Sequence, residues 1–526
     1  MKKILISDAV DKSCSEMLHN FGHDVKFQPG IKRDELLNQI HKYNALIVRS
    51  ETQVDGEMLA LADNLEVIGR AGAGVDNIDV NKASRKGILV MNTPGGNTIS
   101  TAEHTMALLL GMCRNIAQSN QSLKSGKWDR KNFKGTEVAG KTIGIIGLGK
   151  IGREVAIRCQ TFGMNIVAYD PILQSDINSS LKIRLVNLDK IWELADIITV
   201  HVPLNSETNH LISESVLSKC KNGVKIINCA RGGIIDENAL LKALEVGKVS
   251  AAAFDVYETE PPASENKLIN HPKVLSTPHL GASTEEAQIK VAQQIALQIN
   301  DYFKSGEQKG AVNSFTINNH DEKLLPYLKL AENLGSIQSQ LLEGYIKELN
   351  VELNGEVLIK NSELITTAIL KGFLSDRLTE VINYINAPVL AKELGILVNE
   401  KKSSVKINYS NLLTTNFFSD KNKKNIAGTV FDRNEIRVVN INNYRIDLKP
   451  EGNLLICTNI DKPGMLASIS RVLAEAKINI AGLSLGRVEA GKDALTVITV
   501  DDKISNEVRN KISLLEGIKK VQSVII

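Results

Sequence analysis

Thr142-Ile143-Gly144-Ile145-Ile146-Gly147-Leu148-Gly149-Lys150-Ile151-Gly152 is the stretch that decides the fold. A short apolar run, of the kind that forms a buried strand, leads directly into G-x-G-x-x-G. In that pattern Gly147 permits a tight turn, Gly149 lets the backbone approach a pyrophosphate, and Gly152 lets the next helix pack closely on the strand. Lys150 and Ile151 fall in the first turn of that helix, where free N–H groups and a partial positive charge face the phosphates. A second strand, Asn165–Tyr169, ends at Asp170. An aspartate about twenty residues after the glycines accepts hydrogen bonds from both ribose hydroxyls and repels a 2′-phosphate. Pro171 follows it, not an arginine, so the predicted cofactor is NAD and not NADP.

The same alternation extends in both directions. Downstream, Ile197–His201, Lys225–Asn228 and Val274–Ser276 read as further strands. Upstream, Ile4–Ser7, Ala45–Val48, Val67–Ile68 and Ile88–Met91 read as buried parallel strands, with helical segments such as Asp34–His41 between them. This βα repetition predicts an α/β protein whose parallel sheets are covered by helices, with ligand loops at the strand C-termini. Residues 100–125 read as one long helix, with Ser100 and Glu103 as a capping box. Between Thr284 and Phe303, Val291, Ile295 and Ile299 recur every four residues, and Tyr302 and Phe303 extend that face. Ser305–Gly310 is polar and reads as a linker. From Asn453 onward, strand Leu454–Thr458, helix Met465–Glu475, strand Ala494–Val500, helix Asn506–Leu515 and strand Val521–Ile526 suggest a small βαββαβ sandwich.

Composition narrows the class. The 526 residues imply three or four domains, and 43% hydrophobic content excludes long disorder. Lys+Arg 63 against Asp+Glu 60 leaves a net charge of +3, too balanced for an electrostatic nucleic-acid binder. No apolar run approaches the ~18–20 residues of a membrane helix. Asp8 and Asp11 interrupt the N-terminus, which reads as a first strand and not as a secretory signal. The six cysteines are scattered, with no CxxC and no histidine at metal-ligand spacing. They read as reduced thiols of a cytoplasmic protein that binds no metal.

Three more stretches carry chemistry: Asn228-Cys229-Ala230-Arg231-Gly232-Gly233, Asp255 to Pro262, and Thr277-Pro278-His279-Leu280-Gly281-Ala282. All fall at expected strand C-termini, where a nicotinamide would arrive. Removing hydride from an alcohol requires a base for the hydroxyl proton, and His279 suits that role. A carboxylate at Glu260 would orient the imidazole, and Arg231 would fix a substrate carboxylate or carbonyl with its planar fork. Singly, each residue also fits a surface loop or a loop salt bridge. Their conjunction downstream of a nucleotide fingerprint carries the reading.

These residues resemble the D-isomer-specific 2-hydroxyacid dehydrogenases. GLGKIGREVA, Asp170-Pro171, NCARGGIIDENAL, AFDVYETEPP and TPHLGAST occur in the family's order, and the likeness covers residues 1 to about 310. It implies a Rossmann-type, doubly wound cofactor domain at 99–284, inserted into a flavodoxin-like substrate-binding domain at 1–98 and 285–305, with the active site between them. It also implies that Arg231, Glu260 and His279 form the catalytic trio. The implied cofactor contacts are Gly147, Gly149, Lys150, Ile151, Gly152, Asp170, Val202, Cys229, Ala230, Arg231, Asp255, His279, Gly281 and Ala282.

Within the family, GRAGAGVDNID, NTPGGNTISTAEHT, GKWDRKNFKGTEVAGKT and LKLAENLGSIQSQL are similar to the long-form members that oxidise 3-phospho-D-glycerate to 3-phosphooxypyruvate, the first step of phosphorylated serine biosynthesis. The resemblance then implies an α+β intervening domain at 315–450. The segment from PEGNLLICTNIDKPGM onward resembles an ACT regulatory domain, at 453–526. Such a substrate carries a carboxylate and a phosphate. Arg49, Arg70 and Arg130 would supply phosphate forks, Arg130 by crossing to a partner subunit. Ala73 and Gly74 would offer backbone N–H groups to the carboxylate, and Asn97 a polar contact. The ACT likeness implies an L-serine effector held by Asn459, Asp461 and Asn479 at an ACT–ACT interface, and a homotetramer joined through cofactor-domain and ACT contacts. In the middle region Phe431-Asp432-Arg433-Asn434 stands where relatives have a Gly-containing turn, and Arg437 and Arg445 read as exposed strand charges. Two other readings stay open: a reductase of glyoxylate or hydroxypyruvate, and an NAD-sensing binding protein like the family's corepressors.

Overall fold

Short aliphatic runs build the first sheet. β1 (Lys3–Ile6), β2 (Asp24–Phe27), β3 (Ala45–Val48), β4 (Val67–Arg70) and β5 (Leu89–Met91) pair in parallel in the order β2-β1-β3-β4-β5. That is the flavodoxin-like order. All four residues of β3 are buried, because helices cover both faces of the sheet. The edge strand β2 is mostly exposed, so its DVKF sequence lacks the apolar signal that marks its neighbours. The structure is a computed structural model that describes residues 1–173, 182–314, 323–405, 408–432 and 434–526.

The second sheet holds β6 (Thr142–Ile146), β7 (Asn165–Tyr169), β8 (Ile183–Leu185), β9 (Ile197–Val200), β10 (Val224–Asn228), β11 (Val249–Phe254) and β12 (Val274–Ser276). Its order is β12-β11-β10-β9-β6-β7-β8, all parallel. The strand order reverses between β6 and β9, the switch point at which open α/β sheets bind dinucleotides. The chain then returns to the first sheet. Helix Glu285–Ser305 buries Val291, Ile295 and Ile299 against Ile4, Ile6, Ile47 and Val67. A Cβ on Gly69 would come within 2.8 Å of Ile295 and Ile299, so this glycine lets the helix lie close on β4.

Three local expectations are corrected. The helix after β5 starts at Thr98 with Asn97 as its N-cap, two residues before the expected capping box. The Ser100 hydroxyl instead donates to Gly281 O at 2.8 Å, because this helix start packs against the loop after β12. The expected single helix over 100–125 is two, Thr98–Cys113 and Ile116–Lys124, separated where Asn115 adopts the left-handed conformation (φ 53°). The polar run after Ser305 is not a free linker. Asn92 N donates to Gly310 O, Val312 N donates to Val90 O, and Asn313 bonds Val90 N and Ile88 O, so the segment straps the edge of β5. Edge strands leave unpaired backbone groups that such a strap can satisfy.

The remaining chain forms a second half. Strands Leu397–Ser403, Ile346–Asn354, Leu412–Ser419, Lys423–Phe431, Glu435–Ile441 and Tyr444–Leu448 form one sheet in that order, with only the first pair parallel. Helices Leu325–Leu341 and Ser362–Ser375 cross tightly, because Gly335 faces Ile369 O and Gly372 faces Glu332 O with no room for a Cβ. Arg433 lies outside the described residues, as do the first residues of the expected 315–450 unit. Arg437 is engaged by Glu435 and Asp447.

The C-terminal strands Ile480–Arg487, Asp493–Val500, Asn453–Ile460 and Ile518–Ile525 form an antiparallel sheet in that order. Helices Met465–Glu475 and Asn506–Ser513 cover one face. The other face, with Leu454, Ile456, Leu495, Val497 and Val524, joins the core around helix Leu325–Leu341. This half rests on the first unit: Arg85 pairs with Glu380 and Glu393, Asn383 donates to Gly87 O at 2.8 Å, and Ile385 enters the first unit's core.

Candidate active site

The nucleotide turn follows from its glycines. Gly147 sits at φ 95°, and a Cβ there would lie 2.5 Å from His201 O. A Cβ on Gly152 would overlap Gly147 O, whereas Gly149 has no atom within 4 Å of a Cβ position. The turn is therefore closed toward the sheet and open toward the cleft, directly before helix Lys150–Thr161. Asp170 is fixed at the tip of β7: Oδ2 accepts Leu148 N at 2.9 Å and Oδ1 accepts Ile172 N at 3.0 Å. Each oxygen retains a lone pair for a ribose hydroxyl. This open face, the helix N-terminus and an acidic ribose partner fit a dinucleotide. Lys150 Nζ reaches Pro94 O at 3.3 Å, on the other side of the cleft.

The loops after β11 and β12 bring two expected residues together. His279 Nδ1 lies 2.7 Å from Glu260 Oε2, and Glu260 Oε1 accepts Tyr257 N at 3.0 Å. Burial opposes the Glu260 charge, but the hydrogen bonds from His279 and Tyr257 N outweigh it and hold the carboxyl below its ordinary range. With Nδ1 engaged, His279 Nε2 remains for proton exchange at the cleft. Asp255, 1% exposed, organises the same loop. It accepts Leu280 N (2.7 Å), Gly281 N (2.8 Å), Thr277 Oγ1 (2.6 Å) and pairs with His104 Nε2 (3.1 Å). Burial again works against its ionisation, and the bonds from His104, Thr277 and Leu280 keep its pKa below the ordinary value.

Arg231 faces these loops from the end of β10. Its Nε donates to Asp76 Oδ2 at 3.0 Å and its Nη1 to Ala230 O at 2.6 Å. Nη2 lies against Gly74, where a side chain would displace it. The cleft, ≈ 420 Å³, gathers Ala73, Gly74 and Asn97 from the first unit with Ile151, Val202, Cys229, Ala230, Arg231, Asp255, His279, Gly281 and Ala282 from the second. Arg70 stands behind it. Burial, with Arg231 and Arg49 nearby, lowers its pKa to about 10, so three guanidinium groups cluster here.

Other expected residues fall elsewhere. Arg130 opens a short exposed 3₁₀ turn, Arg130–Asn132, in a recess formed by residues 128–132 and not in the cleft. Asn459 is buried, with Oδ1 accepting from Thr496 Oγ1 and Nδ2 donating to Ile460 O, so its side chain is not presented to a ligand. Asp461 accepts from Arg487 and Gly491 N, and Asn479 donates to Asp501.

Sequence reasoning missed His104 and Asp76. His104 carries no local motif beyond its place in NTPGGNTISTAEHT, and Asp76 passes as one acid among many in GRAGAGVDNID.

Comparison with known proteins agrees with this geometry. Residues 106–281 match the family described as D-isomer specific 2-hydroxyacid dehydrogenase, NAD binding domain. Residues 323–442 match the D-3-phosphoglycerate dehydrogenase intervening domain, and 453–513 match the ACT domain. The chain is 42% identical to D-3-phosphoglycerate dehydrogenase of Archaeoglobus fulgidus, covering 98% of both chains. It is 41% identical to that of Methanocaldococcus jannaschii over 99% of both. Among solved structures, NAD-dependent formate dehydrogenase from Staphylococcus aureus in complex with NAD is similar at 28% identity and TM-score 0.55, over 60% of this chain and 100% of that one.

Proposed function

This chain belongs to the D-3-phosphoglycerate dehydrogenases of the D-isomer-specific 2-hydroxyacid dehydrogenase family, and on that premise we propose how its cleft converts 3-phospho-D-glycerate to 3-phosphooxypyruvate. The protein is an NAD-dependent oxidoreductase acting on a CH–OH group, and the reaction supplies serine biosynthesis. NAD, when bound, supplies the ring that accepts the hydride from C2. The turn at Gly147, Gly149 and Gly152, the helix start at Lys150 and Ile151, and Asp170 would hold the dinucleotide. Val202, Cys229, Ala230, Asp255, Gly281 and Ala282 would line its path to the catalytic end.

Arg231 and the backbone of Ala73 and Gly74 grip the substrate carboxylate, Asn97 contacts it, and Arg49 and Arg70 receive the phosphate. His279 Nε2 takes the hydroxyl proton while Glu260 steadies the ring. The observation that carries this reading is the Glu260–His279 pair at 2.7 Å beside a cleft that also holds Arg231. A coupled NADH assay over a panel of 2-oxo acids tests it. The phosphorylated hydroxypyruvate should have the highest specificity constant, and an equal constant for the unphosphorylated acid would overturn the substrate assignment.

The regulatory reading rests on the ACT match and on uncovered apolar surface. Helix Ile116–Lys124 buries none of its residues, and Trp128 beyond it is 77% exposed. Edge strand Ile480–Arg487 leaves Leu483 and Leu485 half exposed. These two faces support a homotetramer joined through the cofactor units and through paired ACT sheets, with Arg130, beside Trp128, reaching a partner's cleft. L-Serine is the effector assigned to the ACT interface, with Asp461 and Asn479 as its side-chain contacts. Calorimetry of L-serine with the whole chain tests this: no heat and no inhibition would leave ACT a purely assembling module. All six cysteines are unpaired and buried, consistent with a cytoplasmic site of action. Among the described residues no helix is long and apolar enough to cross a membrane.

A further inference from the structure

Asp8 stands two residues past β1 and is 1% exposed. A buried carboxylate needs compensating donors. Apart from the adjacent Ser7 hydroxyl at 3.4 Å, they come from one loop: Asp8 accepts Arg49 N at 2.6 Å, Glu51 N at 3.1 Å, Thr52 N at 3.1 Å and the Thr52 hydroxyl. Among the described residues Asp8 makes no ion pair. The loop it holds carries Arg49 and contacts Arg70. Arg70 Nε donates to Arg49 O at 3.1 Å and to Asn77 Oδ1 at 3.0 Å, and Asn77 Nδ2 donates to Thr52 O at 2.6 Å. With Nε tied twice, the guanidinium plane of Arg70 is set while both Nη groups remain for an anion.

From this chain of bonds we infer that Asp8 is a positioning residue. It fixes the 49–52 loop and, through Asn77, the fork of Arg70, and so sets the preference for a phosphorylated over an unphosphorylated 2-oxo acid. The inference rests on the substrate reading above. The tethered fork of Arg70, with Arg49 on the adjoining loop, suits the oxygens of a phosphate dianion, whereas a neutral hydroxyl offers no charge for it to pair with. Asp8 touches neither the reacting carbon nor the cofactor turn, so its effect is confined to one end of the substrate.

The test is Asp8→Asn, which turns an NH₂ group toward N–H donors. NADH consumption is followed with 3-phosphooxypyruvate and with hydroxypyruvate. KM for the phosphorylated acid should rise about tenfold, the equivalent of one charge-assisted hydrogen bond. Its kcat, the KM for NADH and the specificity constant for hydroxypyruvate should stay within about twofold of the parent. Asn77→Ala removes only the Arg70 tether. It should shift the same KM in the same direction, and it decides the question if Asp8→Asn does not fold. Equal losses on both acids, or an unchanged preference, would overturn the role of Asp8. A parent enzyme without preference for the phosphorylated acid would overturn the substrate reading and this inference with it.

Discussion

His279 owes its place to three bonds: its Nδ1 contact with Glu260, and the two hydrogen bonds by which Asp255 fixes the backbone of the next two residues, Leu280 and Gly281. Replacing His279 with alanine should cut turnover by roughly 10²–10⁴-fold, the share general acid–base catalysis usually supplies, as read by steady-state NADH production. Wild-type turnover in that variant would remove the proton-transfer role. Asp255→Asn should destabilise the loop by about 1–3 kcal/mol, because buried N–H groups lose a charged acceptor. The pH dependence has a definite sign. The folded-state pKa of Asp255 lies below its ordinary value of 3.8, so its contribution is present above that value and is lost as pH falls through the lowered one. Acid unfolding monitored by tryptophan fluorescence should begin at a higher pH in the parent than in Asp255→Asn only if this linkage is wrong. Glu260 and His279 were readable from sequence because each sits in a local motif at a strand end. Asp76 and His104 were not, because their partners lie 155 and 151 residues away, and no spacing rule spans that distance.

At the scale of elements, the strand-to-helix turn separates a structural glycine from a ligand-facing one. Gly152→Ala would place a methyl on Gly147 O, a backbone atom that cannot give way. It should cost about 3 kcal/mol, read as a lowered midpoint in urea. Gly149→Ala meets no atom within 4 Å, so it should melt like the parent yet bind NAD more weakly, because the methyl occupies the phosphates' approach. Equal stability losses in the two variants would contradict this division. Sequence patterning located β6, β7 and helix Met465–Glu475 well, because the strands are continuous apolar runs buried on both faces and the helix buries one apolar stripe. It misplaced the start of helix Thr98–Cys113, where Ser100 serves a tertiary contact with Gly281 and not a cap. It read the 305–310 segment as a linker, since a strap that satisfies a sheet edge with backbone bonds leaves no apolar signature.

At the scale of the whole molecule, the two halves depend on each other unequally. Among the described residues, the second half adds Ile385 to the first unit's core together with polar contacts at Gly87 and Arg85, and the ion pairs at Arg85 are exposed enough to contribute little. By contrast, the C-terminal sheet shares one core with helix Leu325–Leu341, and Gln340 accepts Ile525 N at 3.0 Å and donates to Ile525 O at 2.8 Å. A chain cut after residue 314 should therefore remain soluble, lose only about 1–2 kcal/mol for the uncovered Ile385 site, and keep NAD-dependent turnover. A chain cut after residue 450 should aggregate, because it strips Leu454, Ile456, Leu495, Val497 and Val524 from that shared core. For the same reason a fragment meant to bind an effector must begin near Lys323 and not near Asn453. Size-exclusion chromatography and thermal melts of the 1–314, 1–450 and 323–526 fragments decide the matter: a monodisperse 1–450 fragment with the parent's melting temperature would show that the ACT unit is an independent bead.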